Sequence, residues 1–212
     1  MENIINDNPN STYSSTETEI IDTLKNHFLI AMPSLTDPYF KKSVVYICEH
    51  DEKGAMGFII NFPVKLTLQE LLKNVETISH QPEPPLLDPV FLGGPLELER
   101  GFVLHSPLTD NSQSTQLNEQ LMMSNSNAVL SILGTDKAPE KYMVTLGYAS
   151  WDPGQLEQEI NDNNWITIKS ENDIIFNTPP PIVGVNLYID LVLTRNNYQQ
   201  QLAMPKSEPK KR

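Results

Sequence analysis

The stretch of residues 43–62, SVVYICEHDEKGAMGFIINF, constrains the fold of this 212-residue chain more than any other segment. Val44, Tyr46, Cys48 and His50 alternate with Ser43, Val45, Ile47 and Glu49, the two-residue period of a β-strand. The polar, glycine-containing DEKGA interrupts the pattern and MGFIINF restores it, so the segment reads as a β-hairpin. The strict alternation puts Cys48 and His50 on one strand face, with Glu49 on the other.

Around this hairpin the chain predicts further short elements. Ile20, Ile21, Leu24 and Phe28 recur at helical spacing behind Thr18, and FLIAM (28–32) reads as a strand that Pro33 stops. Asp37-Pro38 predicts a capped helical turn. Thr67 and Glu70 form a capping box ahead of an apolar stripe, Leu68, Leu71, Leu72 and Val75. The prolines of HQPEPPLLDP (80–89) exclude regular structure there. PVFLGG and RGFVLHS read as strands joined by a loop, GGPLELER, and 107–121 as a polar surface excursion. SNAVLSILG (126–134) predicts a helix capped by Ser126 and ended by Gly134. YMVTLGYAS (142–150) reads as a buried strand, and Asp152-Pro153-Gly154-Gln155 as a helix start with Asp152 as N-cap. WITI and IIFNT add strand material. Strands outnumber helices and hairpins replace alternating βα units, which points to an α+β fold with a largely antiparallel sheet.

The ends differ from this body. Residues 1–17 are rich in Asn, Ser, Thr and Glu and read as a mobile arm, 18–204 as one domain, and 205–212 as a basic tail. The chain carries 15 Lys+Arg against 27 Asp+Glu, a net charge of −12. Nucleic-acid binders draw affinity from neutralising phosphates, so direct DNA binding is disfavoured when Lys206, Lys210, Lys211 and Arg212 form the single basic cluster. No run approaches the ~18 apolar residues of a membrane span. One cysteine and an amino end without a signal pattern fit a reducing, cytoplasmic setting.

The order of the segments carries a resemblance. HFLIAMPSLTDPYFKKSVVYICEHDEKGAMGFIIN (27–61), PVFLGGPLELERGFVLHSP (89–107), LGTDKAP (133–139) and LGYASWDPGQLEQEINDNNWI (146–166) together resemble the bacterial AlgH/YqgE family. The likeness covers residues 27–178. It implies a single α+β domain whose strands curl into a pseudo-barrel with helices packed around it. The family is described as one of transcriptional regulators, and no agreed biochemical activity comes with that description. After IIFNTP this chain departs from the family pattern: Pro179, Pro180 and Pro181 stand where a last helix is expected, and 183–193 are β-branched enough to form a strand.

The residues themselves offer candidates for chemistry. Cys48 with His50 on one face is the beginning of a nucleophile–base pair, or else Cys48 is a small buried hydrophobe. His105, at the end of FVLH, could approach His50 if the hairpins pair, or it caps a strand end. Metal spacing such as Cys-x-x-Cys is missing, so no metal and no cofactor are expected. Gly93 and Gly94 could present backbone N–H groups to a ligand, or they make a sharp turn with positive φ. Trp151, where a strand enters a helix, lines a ligand or partner site or belongs to the core. Glu97 and Glu99 beside Arg100 could be an acid–base set or a solvated loop. Two functions compete: a non-enzymatic regulator working through a protein or small-molecule partner, and a Cys48/His50 enzyme or small-ligand or redox sensor.

Overall fold

The structure, a computed structural model, describes residues 23–75, 85–108, 113–125, 127–180 and 183. In chain order these form β1 (His27–Ala31), β2 (Val44–Asp51), β3 (Gly54–Ile59), β4 (Pro63–Thr67), α1 (Leu68–Lys73), β5 (Pro89–Leu92), β6 (Leu96–His105), β7 (Thr115–Asn118), β8 (Leu121–Ser124), α2 (Asn127–Leu130), β9 (Tyr142–Trp151), α3 (Gln155–Asn161), β10 (Trp165–Lys169) and α4 (Asn172–Asn177). The ten strands share one sheet, in the order β10-β1-β2-β3-β9-β6-β8-β7, with β5 along β9 and β4 along β5. Every described pairing is antiparallel except β5 with β9. The architecture is therefore a single α+β domain with a mostly antiparallel sheet.

Strand β9 joins the two halves. Its 149–151 end pairs with β3, its 145–146 stretch with β5, and its other edge with β6. At the outer ends, β10 and β7 do not pair with each other, so the sheet curls without closing into a barrel. Side-chain amides span that seam instead. Asn118 Nδ2–H donates to Asn26 Oδ1 and to Asn172 Oδ1, each at 3.3 Å, and the buried Tyr46 hydroxyl donates to Asn26 Oδ1 at 2.6 Å.

The core has three parts. Phe28, Tyr46, Cys48, Phe58, Phe102 and Leu104 pack on one face of the sheet. Leu29, Val45, Ile47, Ile59, Trp151 and Trp165 pack on the other, under α3 through Leu156. Leu68, Leu72, Val90, Val103, Val129 and Leu133 fill the region beneath α1 and α2. Each fully buried side chain of this size contributes about 1.5–3 kcal/mol of transfer free energy.

Several local expectations hold. The β2–β3 hairpin forms, with a turn at Glu52 and Lys53 because Asp51 already pairs with Gly54. Asp37 Oδ1 accepts from the N–H groups of Tyr39 and Phe40, capping the turn after it. Thr67 and Glu70 make the reciprocal capping box of α1.

Others are corrected. Phe28 lies in β1, opposite Tyr46 and Ile168, and Leu24 is not helical, so the helical spacing read through these two residues is corrected, while Ile20 and Ile21 lie outside the described residues. The 107–121 excursion contains β7, whose Leu117 is buried. The helix read over 126–134 is one turn, α2, followed by tighter turns such as Ile132 N–H to Val129 C=O. Asp152 does not cap α3: Gly154 is its N-cap, and Gln155 Oε1 reaches back to the Asp152 N–H. IIFNT is not a strand but most of α4, whose Ile175 is buried. LELER is not a loop but the exposed first half of β6, where the four residues 97–100 face the single Gly147 of β9. The 1–17 arm, Thr18, Ser126, Pro181, the 184–193 segment and the 205–212 tail lie outside the described residues.

Candidate functional site

The hairpin separates the two residues that its sequence pairs. Ile47 faces Gly57, but Glu49 faces Met56, so Cys48 is an extra residue bulged into β2. Up to Cys48 the alternation holds, and its side chain lies in the Phe28–Tyr46–Phe58 core. Beyond the bulge the faces exchange. His50 pairs with Ala55, which belongs to the opposite core with Leu24 and Leu156. Cys48 and His50 thus point to opposite sides of the sheet, and the expected shared face is corrected.

Each is committed where it sits. Cys48 is fully buried and its thiol donates to the Met56 carbonyl at 3.3 Å. Burial first, and the Glu49 charge second, push its pKa up to about 12. His50 Nδ1 accepts the Leu24 N–H at 2.9 Å, which leaves the ring proton on Nε2 to donate to Glu157 Oε1 at 2.7 Å. The Glu157 carboxyl is held below the usual carboxylate range by hydrogen bonding at its own helix backbone and then by His50. The imidazole therefore ties together the approach to β1, the end of β2 and α3.

His105 does not approach His50. It pairs with Tyr142 at one end of β9, whereas His50 reaches the other end through Ala55 and Trp151. Nine residues of strand separate those ends, roughly 30 Å. The ring is fully buried: Nδ1–H donates to the Ser106 carbonyl at 2.8 Å and Nε2 accepts from the Ser114 hydroxyl at 3.1 Å. Desolvation holds its pKa below the usual imidazole range, so it stays neutral. Among the described residues no group of three or more His, Cys, Asp or Glu side chains could hold a metal ion.

Gly93 and Gly94 are needed for closeness rather than for positive φ, which corrects the turn reading. A Cβ on Gly93 would lie 2.2 Å from the Gly147 carbonyl oxygen, and one on Gly94 2.1 Å from the Tyr148 carbonyl carbon. Their backbones are pressed against β9 at its Gly147 kink (φ +71°), and the Gly93 N–H is already bonded to Leu146 C=O. Glu97 and Arg100 form an exposed ion pair at 2.9 Å, and Arg100 covers the Phe102 ring. Arg100 is also the main cause holding the Glu97 carboxyl below its usual range.

Trp151 is core. It and Trp165 are 3 % exposed and flank Phe40, and both indole N–H groups reach Glu159. Glu157 and Glu159, two residues apart on α3, are the partners that sequence reasoning missed. Their spacing behind Asp152-Pro153-Gly154-Gln155 was the available signal, since it places both within the first turns of a helix facing β2 and β10.

The other feature missed is a pocket at the Tyr142 end of β9. It holds about 270 Å³, with walls of Leu68, Phe91, Met143, Val144, Ile175 and Phe176. At its edge the Tyr142 hydroxyl donates to Asp88 Oδ2 at 3.3 Å. Burial and the adjacent Asp88 push the Tyr142 pKa up to about 12, so it remains a donor.

Comparison with known proteins matches this geometry to a family. The AlgH-like family model covers residues 28–183. A UPF0301 protein of Vibrio atlanticus is 47% identical over 159 residues, 74% of this chain and 85% of its own length. One from Blochmanniella floridana is 48% identical over 179 residues, 79% and 93% of the two chains. The solution structure of the AlgH protein from Pseudomonas aeruginosa superimposes with a TM-score of 0.69 at 37% identity, covering 91% of this chain and 97% of that one. A crystal structure from Corynebacterium diphtheriae shares the fold, with a TM-score of 0.59 at 22% identity over 76% and 84% of the chains. The match extends across all three parts of the core and both ends of β9, and the chain belongs to the AlgH-like family of bacterial proteins.

Proposed function

We propose that this domain is a non-enzymatic regulator that acts in the cytoplasm through contacts with a protein or a small molecule. The observation that carries the reading is the state of Cys48. Its thiol is sealed in the core, bonded to a backbone carbonyl and raised to a pKa of about 12. Burial therefore keeps the thiol protonated at neutral pH and withholds the thiolate that nucleophilic or redox work needs. His50 and His105 are bonded on opposite ends of β9 and neither faces the thiol. The net charge of −12 favours protein or small-molecule partners over direct contact with DNA.

The test is thiol labelling of the folded protein, paired with complementation of a deletion strain by Cys48→Ala. Labelling at the rate of global unfolding, with regulatory output retained by the variant, supports the reading. Rapid labelling of the folded state, or loss of output with folding unchanged, overturns it in favour of a Cys/His enzyme or redox sensor.

A further inference from the structure

The pocket at the Tyr142 end of β9 has the features of a ligand site rather than of a packing defect. Its walls come from four separate elements, α1, β5, β9 and α4, meeting where the one parallel strand pair among the described residues lies. Its volume of about 270 Å³ sits at the lower edge of the range of small-molecule sites. At ~30 Å³ per water-sized group that is room for roughly nine or ten non-hydrogen atoms, too few for a helix or a strand of a protein partner.

The polar groups decide the chemistry. Asp88 is the one charged residue among the described lining, and no lysine or arginine is present to neutralise it. Tyr142 donates to Asp88 Oδ2, while Oδ1 accepts from no described group. The carboxylate is thereby oriented, with acceptor capacity left over, at the rim of a cleft whose other lining is apolar apart from the neutral Tyr142, Asn177 and Thr178. A ligand that fills the site needs a compact apolar body and one N–H donor, and a positive charge on that nitrogen matches the carboxylate.

We infer that the pocket bounded by Leu68, Phe91, Val144 and Ile175 binds a small amine with an aromatic or branched apolar body, its nitrogen held by Asp88. This rests on the reading of the domain as a binding module and names the chemistry of its small-molecule partner.

The test titrates the full-length protein with 2-phenylethylamine and, separately, with phenylacetate, following the Met143, Val144 and Ile175 resonances by NMR. The amine should give saturable shifts at these residues and bind at least tenfold more tightly than the carboxylate. Asp88→Asn should weaken the amine at least tenfold while leaving the fold intact, because the side chain is exposed, the Leu68 N–H bonds the backbone carbonyl, and an asparagine oxygen can still accept from Tyr142. Asn177→Trp, which places a bulky ring at the mouth from an exposed position, should abolish binding of both probes. Absence of saturable shifts, equal binding of the two probes, or an amine affinity indifferent to Asp88→Asn overturns the inference. Such a failure leaves the thiol-labelling result, and with it the non-enzymatic reading, untouched.

Discussion

Trp151 and Trp165 donate their indole N–H groups to the same oxygen of Glu159, at 3.1 and 2.7 Å, while Gln155 Nε2–H donates to the other oxygen at 2.9 Å. One carboxylate on α3 therefore satisfies two nearly buried donors contributed by β9 and β10. Glu159→Ala leaves both unpaired. It should cost about 2–6 kcal/mol, on the basis of ~1–3 kcal/mol for each unsatisfied buried donor. Urea denaturation measures this, and because these are the only two tryptophans their fluorescence reports the change directly. A loss below about 0.5 kcal/mol would mean that water replaces the carboxylate without penalty.

Cys48 and Tyr142 make the fold sensitive to alkali. Both are acids whose folded pKa lies above the unfolded value, each at about 12. The folded state keeps their protons where the unfolded state has lost them, so stability is full at neutral pH. It falls as pH rises through the unfolded values, ~8.5 for the thiol and ~10 for the phenol, towards 12. The buried thiol alone accounts for at most about 1.4 kcal/mol per pH unit over its window. Cys48→Ala should remove its share of that slope between pH 9 and 11, at a cost in packing on the order of 1 kcal/mol. Identical slopes for both proteins would contradict the burial of the thiol.

His50→Gln should loosen the approach to β1 without unfolding the sheet. The Leu24 N–H loses its acceptor and Glu157 its imidazole partner, a change of about 1–2 kcal/mol. Hydrogen exchange should show the Leu24 amide losing protection while amides of β9 keep theirs. On the acid side, Glu157 has a depressed folded pKa. Its contribution is present above the ordinary carboxylate range and fades as pH falls through the folded value. Leu24 protection that is unchanged in His50→Gln would show that the bond does not hold the segment.

Two glycines should respond unequally to alanine. Gly94→Ala drives a Cβ into the Tyr148 backbone, which cannot move without unzipping β6 from β9, and should cost about 3 kcal/mol or more. Gly154→Ala meets nothing within 4 Å and bears only its left-handed φ of +78°, a cost of about 1 kcal/mol. Thermal melts of the two variants compare them, and equal shifts would refute the close approach at Gly94.

Generic duplex DNA should bind weakly and lose that binding steeply with salt, since the net charge is −12 and the basic cluster is confined to residues 206–212. Fluorescence anisotropy at two salt concentrations checks this. Tight, sequence-selective binding near physiological salt would contradict it.

What could be read from the chain divides by the range of the interaction concerned. The hairpin, the Thr67–Glu70 box and the Asp37 cap are fixed by residues within a few positions of one another, and all three appear. The bulge at Cys48 does not show in the alternation of β2, because it is set by how Met56 and Gly57 pair across the hairpin. That one slipped residue reverses the sidedness of His50, and with it the most attractive site in the sequence. Gly93 and Gly94 look like a turn locally, and the reason for them lies more than fifty residues on, in β9. IIFNT has strand-forming side chains, yet its only fully buried member, Ile175, enters the core from a helix. The pocket depends on the parallel pairing of β5 with β9, which no local pattern encodes.

The position of β9 has a consequence for how the polypeptide leaves the ribosome. β3, β5 and β6 all precede it in the chain, and each takes it as a neighbour. Until residue 151 has emerged from the exit tunnel, three strand edges lack the partner that completes them. Such edges template association with other nascent chains. Closure over sequence separations of tens to nearly a hundred residues is also slow. Synthesis of this protein thus includes an interval in which β3, β5 and β6 are out but unsealed, and chaperone demand should peak just before residue 151 emerges.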